Sequence, residues 1–295
     1  MSEFDTSPPS DRHSVGLNGR QVAFRDLKGP GEPVLLIHGI GSSSQTWGDI
    51  PERLAAAGLR VLCVDLPGHG DSSRDPGDYS LGSLASTVRD LLDYLGLDSV
   101  HLVGHSLGGG VSMQFAYQFP GRVRSMVLES SGGLGEEAFS GLRAASLPGS
   151  EWVIGWAINE RTLKGAAWVG SQLGRVGVTP HALSPRALET VSWLGEEDRR
   201  TAFLATLRSV VGPKGQSVSA LDKLHLMEGR RVLIVWGDRD PMIPMKHGAN
   251  AHSLLDGSRF VVFPGAGHEP HLHDPERFAE LVSGHVLQHA AQRSV

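Results

Sequence analysis

The chain lacks several features that would point its biology elsewhere. It has one cysteine, Cys63, in 295 residues. No disulfide can therefore form within it, and a reducing compartment is expected. Cys63 sits in the apolar run RVLCVDL and reads as a small buried hydrophobe. No uninterrupted apolar run reaches the roughly 20 residues that span a bilayer. The opening MSEFDTSPPSDR is polar and has no apolar signal core, so residues 1–13 read as a loose arm. The expectation is a soluble, cytoplasmic protein with no membrane span. Basic charge is not in excess either: the net charge is −5, with both signs interspersed. That leaves no stripe to neutralise phosphates, so no nucleic-acid partner is expected. There is no internal repeat and no low-complexity tract, and nothing in the sequence indicates an oligomeric state.

What is present is a rhythm. Short β-branched runs closed by Gly, Pro or Asp recur at 33–39, 60–68, 99–106, 124–130, 230–238 and 258–268. Their near-continuous apolarity predicts strands covered on both faces. Helical patterns at 80–97 and 109–120 fill the gaps, and such alternation implies a mostly parallel sheet with right-handed crossovers. Around Asn18-Gly19 the segment HSVGLNGRQVAFRD predicts an antiparallel hairpin on the sheet edge. The alternation stops over residues 135–218, which look helical with no strand and hold Trp152, Trp156, Trp168 and Trp193. An excursion that long between two strands predicts an inserted helical cap on a core of residues 14–134 and 219–295.

The sharpest local signal is GHSLGG, with Ser106 between Gly104 and Gly108. In a chain with 38 glycines a chance Gly-x-Ser-x-Gly is expected about a few tenths of a time, so the pattern alone says little. Its context says more. A strand runs directly into it and a helix directly out, which places the serine on a sharp strand-to-helix turn. Such a turn strains its central residue and crowds the positions two before and two after, which accounts for both glycines. The N-terminus of the following helix presents free N–H groups that favour a developing oxyanion. A serine hydroxyl needs a base, and the base needs a carboxylate to hold it. Both have candidates at the carboxyl ends of the last two strands, in WGDRDPMIP and GAGHEPH.

These residues resemble the α/β-hydrolase superfamily, in its capped single-domain form. Five ordered features carry the resemblance over residues 14–290: LLIHGIG, DLPGHGDS, GHSLGG, WGDRDPMIP and GAGH. The resemblance implies an α/β fold with a mostly parallel sheet between helices, and a cofactor-free serine hydrolase acting on an ester-like bond of a partly apolar small molecule. It implies Ser106 as nucleophile, His268 as base and Asp240 as acid, with the backbone N–H groups of Ile40 and Leu107 as oxyanion hole. Asp238 and Glu129 remain alternatives for the acid. Carbon–carbon hydrolysis, thioester or lactone hydrolysis, acyl transfer and perhydrolysis use the same triad. A small-molecule receptor on this fold is the rival of another class.

The rest of the histidine-rich segment GAGHEPHLHDPERF reads more plainly. Asp274 and Pro275 are the N-cap and first residue of a C-terminal helix, with His271 and His273 on the link before it. The spacing, broken by Pro270, suits no usual metal pattern, so no metal is expected. His38, Gly39, His105, Trp152 and Trp156 are expected to line the substrate pocket. His69, Asp65, Gly68, Gly70 and Ser72 are expected only to shape their loop.

Overall fold

The computed structural model describes residues 11–158, 160–175, 191–227 and 229–293. Most of the expected N-terminal arm, and residues 176–190 of the expected cap, lie outside the described residues.

Eight strands form one sheet in the order β1-β2-β4-β3-β5-β6-β9-β10. β1 (Arg12–Leu17) and β2 (Arg20–Leu27) are the antiparallel hairpin, turning through Asn18 and Gly19 at φ 49° and 81°. Left-handed backbone at both turn positions matches the strand twist, which is why Asn-Gly occupies them. β2 pairs antiparallel with β4 (Arg60–Val64). From there β3 (Pro33–Ile37), β5 (Val100–His105), β6 (Val123–Glu129), β9 (Arg231–Gly237) and β10 (Arg259–Phe263) run parallel.

Strict alternation along these strands feeds two cores. Leu35, Ile37, Leu62, Leu102, Met126, Leu128 and Trp236 face one side, while Val34, Leu36, Cys63, Val103, Val127 and Val235 face the other. The first core is closed by α2 (Leu81–Tyr94) and α3 (Leu107–Gln118). In α2 the buried Leu84, Val88, Leu91 and Leu92 form one stripe, and Ser80 caps the start by accepting from Ser83 N–H. The second core is closed by α1 (Ile50–Ala56) and a long C-terminal helix over Pro275–Arg293, through Ile50, Leu54, Phe278 and Val282. Cys63 is fully buried there, and burial pushes its thiol pKa up, so it remains an inert hydrophobe.

Between β6 and β9 the chain leaves the sheet for α4 (Ser140–Ala145), α5 (Ser150–Ala157), α6 (Glu160–Arg175) and α7 (Glu197–Val210). The segment is not free of strand, as the sequence had suggested. β7 (Val211–Gly212) and β8 (Gly215–Gln216) make a two-residue antiparallel ladder, too short to leave a period-2 signature. Leu204, Leu207 and Val211 anchor a small apolar cluster that reaches Leu142, Ile154 and Ile40. α8 (Lys246–Leu254) precedes β10, and α9 (Pro270–His273) precedes the C-terminal helix, α10.

Candidate active site

Sheet order explains why residues far apart in sequence meet. β3, β5, β6, β9 and β10 lie side by side and point the same way. Their carboxyl ends therefore form one rim, the region where open parallel sheets bind ligands. His105 pairs with Glu129 in register, and Glu129 with Val235.

Ser106 stands between β5 and α3 with φ 53° and ψ −112°, a conformation that costs a non-glycine residue on the order of 1–3 kcal/mol. Its surroundings hold it there. Its N–H donates to Glu129 O (3.0 Å) and its carbonyl accepts from Gly132 N–H (2.9 Å). A Cβ on Gly104 would overlap the carbonyl of Gly108, and one on Gly108 would overlap that of Ile37. Both glycines are thus required by close backbone approach. The N–H groups of Ile40 and Leu107 donate to nothing among the described residues, and both residues border Ser106 in one cavity.

His268 follows β10. Its Nδ1 lies 2.8 Å from Asp240 Oδ2, and since a carboxylate only accepts, Nδ1–H is the donor. Asp240 Oδ1 accepts from Met242 and Ile243 N–H at 2.8 and 3.0 Å, which orients the carboxylate. Burial opposes ionisation of Asp240, but the hydrogen bond and charge of His268 outweigh it, so its pKa stays below the usual value. The alternative acids are engaged elsewhere. Asp238 accepts from Gly265 N–H (2.6 Å) and holds the turn ahead of His268.

Glu129 faces a different histidine. Its Oε1 accepts from the backbone N–H of His271 and both oxygens lie 2.9 Å from His271 Nδ1, with neither side chain exposed. His271 Nε2 lies 3.1 Å from Thr46 O. With Glu129 ionised, both ring nitrogens face groups that only accept, and the imidazole is then doubly protonated. The shifts agree in direction. Burial resists both charges, yet the pair outweighs it, lowering the pKa of Glu129 and raising that of His271. The sequence had placed His271 on a mere link; it lies in α9, packed 4.8 Å from the Trp47 ring and 5.4 Å from that of His105. Sequence reasoning missed the pair because its members are 142 residues apart. The available signal was an acid directly after the apolar run Met126–Leu128 at the end of β6. Asp274 does cap α10 through Arg277 N–H (3.1 Å), and His273 is not buried.

The other rim histidines are neutral. His38 Nδ1–H donates to Gly39 O (2.7 Å) while Nε2 accepts from Leu66 N–H (3.0 Å), and burial drops its pKa to about 4. His105, also lowered by burial to about 4, donates from Nε2 to His268 O (3.0 Å), tying the end of β5 to the turn that carries His268. His69, lowered by burial to about 3, donates to Pro67 O. Its loop is held by Asp65, which accepts from Ser44 and Asp71 N–H, and by Ser72, which donates to Asp65 O; Gly68 and Gly70 adopt positive φ there.

A cavity of about 600 Å³ opens at the rim, lined by Gly39, His105, Ser106 and His268 together with Glu269 and Trp193. His38 lies behind this wall, fully buried. Trp152 and Trp156 do not line the cavity, contrary to the sequence reading. They sit one turn apart on the outer face of α5, 81% and 83% exposed, because Ile154 is the residue that turns inward to the α7 cluster. Trp193 takes the lining position instead. Among the described residues no cluster of three or more His, Cys, Asp or Glu side chains is arranged to hold a metal, and no helix is long and apolar enough to cross a membrane.

Comparison with known proteins follows the same outline. A family profile described as alpha/beta hydrolase fold matches residues 32–275. An uncharacterized protein of Mycobacterium tuberculosis is 40% identical over 281 residues, covering 94% of this chain and 81% of that one. The 2-hydroxy-6-oxo-6-phenylhexa-2,4-dienoate hydrolase of Burkholderia cepacia is 26% identical, covering 91% and 92%. The structure of a thermophilic esterase from Thermogutta terrifontis superposes with TM-score 0.70 at 22% identity, over 94% of this chain and 98% of that one. The sheet order, the strained turn at Ser106 and the extent of these matches lead to one assignment: the chain belongs to the α/β-hydrolase fold family.

Proposed function

We propose that the protein is a cofactor-free serine hydrolase that cleaves a carboxylic ester of a small molecule through an acyl-enzyme. The observation that carries this reading is the strained Ser106 on the wall of the same cavity as His268, whose other nitrogen donates to Asp240. With Nδ1–H committed to Asp240, neutral His268 presents a lone pair at Nε2, which takes no hydrogen bond among the described residues. In this reading Nε2 accepts the Ser106 proton as Oγ bonds to the acyl carbon, and Asp240 supports the imidazolium. The carbonyl oxygen gains negative charge between the Ile40 and Leu107 N–H groups. Collapse of the tetrahedral intermediate breaks the bond to the leaving alcohol, which takes the proton from His268. Water then adds to the acyl-enzyme by the same path, releasing the acid and restoring Ser106. In this reading the described part of the segment between β6 and β9 serves as a cap, contributing Leu142 and Trp193 to the cavity wall.

Carbon–carbon hydrolysis, suggested by the name of the Burkholderia cepacia relative, is the second reading. The lining chemistry favours the ester. A dienoate carries a carboxylate, whereas the described lining of the cavity holds no Lys or Arg and does hold Glu269. Labelling with a fluorophosphonate tests the proposal. The wild type reacts covalently at Ser106 and hydrolyses p-nitrophenyl esters, and Ser106→Ala does neither. A wild type that resists labelling, or turns over no ester faster than Ser106→Ala, overturns it.

A further inference from the structure

The leaving-group and acyl ends of the substrate are distinguished by where the base sits. Two cavities meet at Ser106. The larger is the rim cavity that His268 and Glu269 line. The smaller, about 60 Å³, lies behind Ser106 and Leu107 and is walled by Leu81, Gly110, Leu207 and Val210, with neither His268 nor Glu269 on it. Ile40 borders both.

We propose that the small cavity receives the acyl group and restricts it to a short unbranched chain, while the bulk of the ester lies on the alcohol side in the rim cavity. The inference rests on the reading of Ser106 as nucleophile and His268 as base. The base that takes the Ser106 proton must hand it to the departing oxygen, so the leaving alcohol must lie within reach of His268. Only the larger cavity has His268 on its wall. With the carbonyl oxygen between Ile40 and Leu107 N–H, the remaining substituent on the acyl carbon points away from His268, toward the space that Leu107 lines.

The dimensions set the limit. A cavity of about 60 Å³ is less than half of the roughly 150 Å³ that holds a benzene ring, so it admits a straight chain of about two to four carbons and no aromatic acid. Its wall is apolar apart from Ser106 and Gln216. Gln216 is already committed: Oε1 accepts from Gly133 N–H (2.6 Å) and Nε2 donates to Glu137 O (2.9 Å). The described wall holds no cationic side chain to pair with a carboxylate at the far end of the chain, which disfavours dicarboxylic acyl groups.

The test holds the alcohol constant and varies the acid. With p-nitrophenyl esters from acetate to octanoate, kcat/KM is expected to fall by about tenfold or more beyond butyrate, the scale on which an unaccommodated methylene is felt. Val210→Ala widens the cavity and raises the hexanoate-to-butyrate ratio by about tenfold. Gly110→Val narrows it and lowers the butyrate-to-acetate ratio by a similar factor. The added Cβ has room, its nearest neighbours being the Leu81 methyls at 3.6 Å. Labelling of each preparation with an ethyl fluorophosphonate reports whether Ser106 is reactive. A protein that labels but shows a flat chain-length profile, prefers octanoate, or keeps its ratios in both variants overturns the acyl assignment alone. A wild type that does not label overturns the serine hydrolase reading and this inference together.

Discussion

Two carboxylate–imidazole pairs stand at the same rim, and they are opposites. Asp240–His268 opens on the cavity: the imidazole is 16% exposed, its Nδ1 is held and its Nε2 is unused among the described residues. Glu129–His271 is sealed, with both side chains at 0% exposure and both ring nitrogens consumed. The first arrangement leaves a nitrogen that can take up and release a proton. The second cannot exchange a proton without breaking a buried ion pair, so its contribution is to packing and position. A histidine beside a carboxylate is therefore no sign of acid–base chemistry until the partner of its second nitrogen is known.

Substitutions that strike one pair and spare the other test that contrast. The largest effect is expected at the open pair. Asp240→Asn lowers kcat for a p-nitrophenyl ester by on the order of 10⁴, while unfolding in urea moves by less than about 1 kcal/mol. Glu129→Gln reverses the pattern. It breaks the buried pair, so that His271 must give up its proton, and destabilises the fold by about 3–5 kcal/mol, with kcat of the folded fraction within about tenfold of wild type. Should Glu129→Gln abolish turnover at unchanged stability, the two roles are exchanged and the division is wrong.

Acid titration of stability separates the pairs next. The raised pKa of His271 means that its contribution is complete below the ordinary value of 6.5 and lost as pH rises through the folded value. The lowered pKa of Glu129 means that its contribution is complete above 4.5 and lost as pH falls. The sealed pair therefore contributes most between pH 4.5 and 6.5. His38 and His105, depressed to about 4, and His69, to about 3, act in the other sense. They are buried neutral, so stability is lost as pH falls from 6.5 toward 4. In Glu129→Gln, His271 joins that neutral group, and the slope of unfolding free energy between pH 6.5 and 4 steepens by about one proton, or about 1.4 kcal/mol per pH unit. Equilibrium unfolding at several pH values checks this, and an unchanged slope would mean that His271 is not held as the cation.

The smallest effects are expected where side chains touch neither pair. Trp152→Ser and Trp156→Ser, on the outer face of α5, change stability by no more than about 0.5 kcal/mol and leave kcat/KM unaltered. Trp193→Ala, which removes a side chain from the cavity wall, raises KM for the larger esters. Equal effects at all three would place α5 over the cavity after all.

Much of this was readable in advance for reasons that can be named. Strand runs such as VLLI and VLIVW are apolar at every position because helices cover both faces, and that signature is local. The turn at Ser106 was legible from its strand-to-helix context and its two glycines: Gly104 is crowded within the turn itself by the Gly108 carbonyl, whereas Gly108 is crowded by the Ile37 carbonyl of β3, a contact that only the fold supplies. Asn18-Gly19 and Asp274-Pro275 are local in the same sense. The residues alone left the choice among Asp240, Asp238 and Glu129 open, since Glu129 ends β6 and both aspartates follow β9 at the same rim. The orientation of α5 was not readable either: Trp152 and Ile154 are both apolar, and only the position of α7 decides which turns inward.

The chain by itself determined its alternation of strand and helix, the strand-to-helix turn at Ser106 and the cap of the last helix, because each depends on residues within a turn or two of one another. Tertiary structure alone decided which carboxylate meets which histidine, which tryptophan reaches the cavity and how the space at Ser106 divides into a large and a small compartment. Those outcomes depend on strand order and on contacts such as Glu129 with His271, 142 residues apart, and no periodicity in a linear sequence encodes which distant side chains a sheet will bring together.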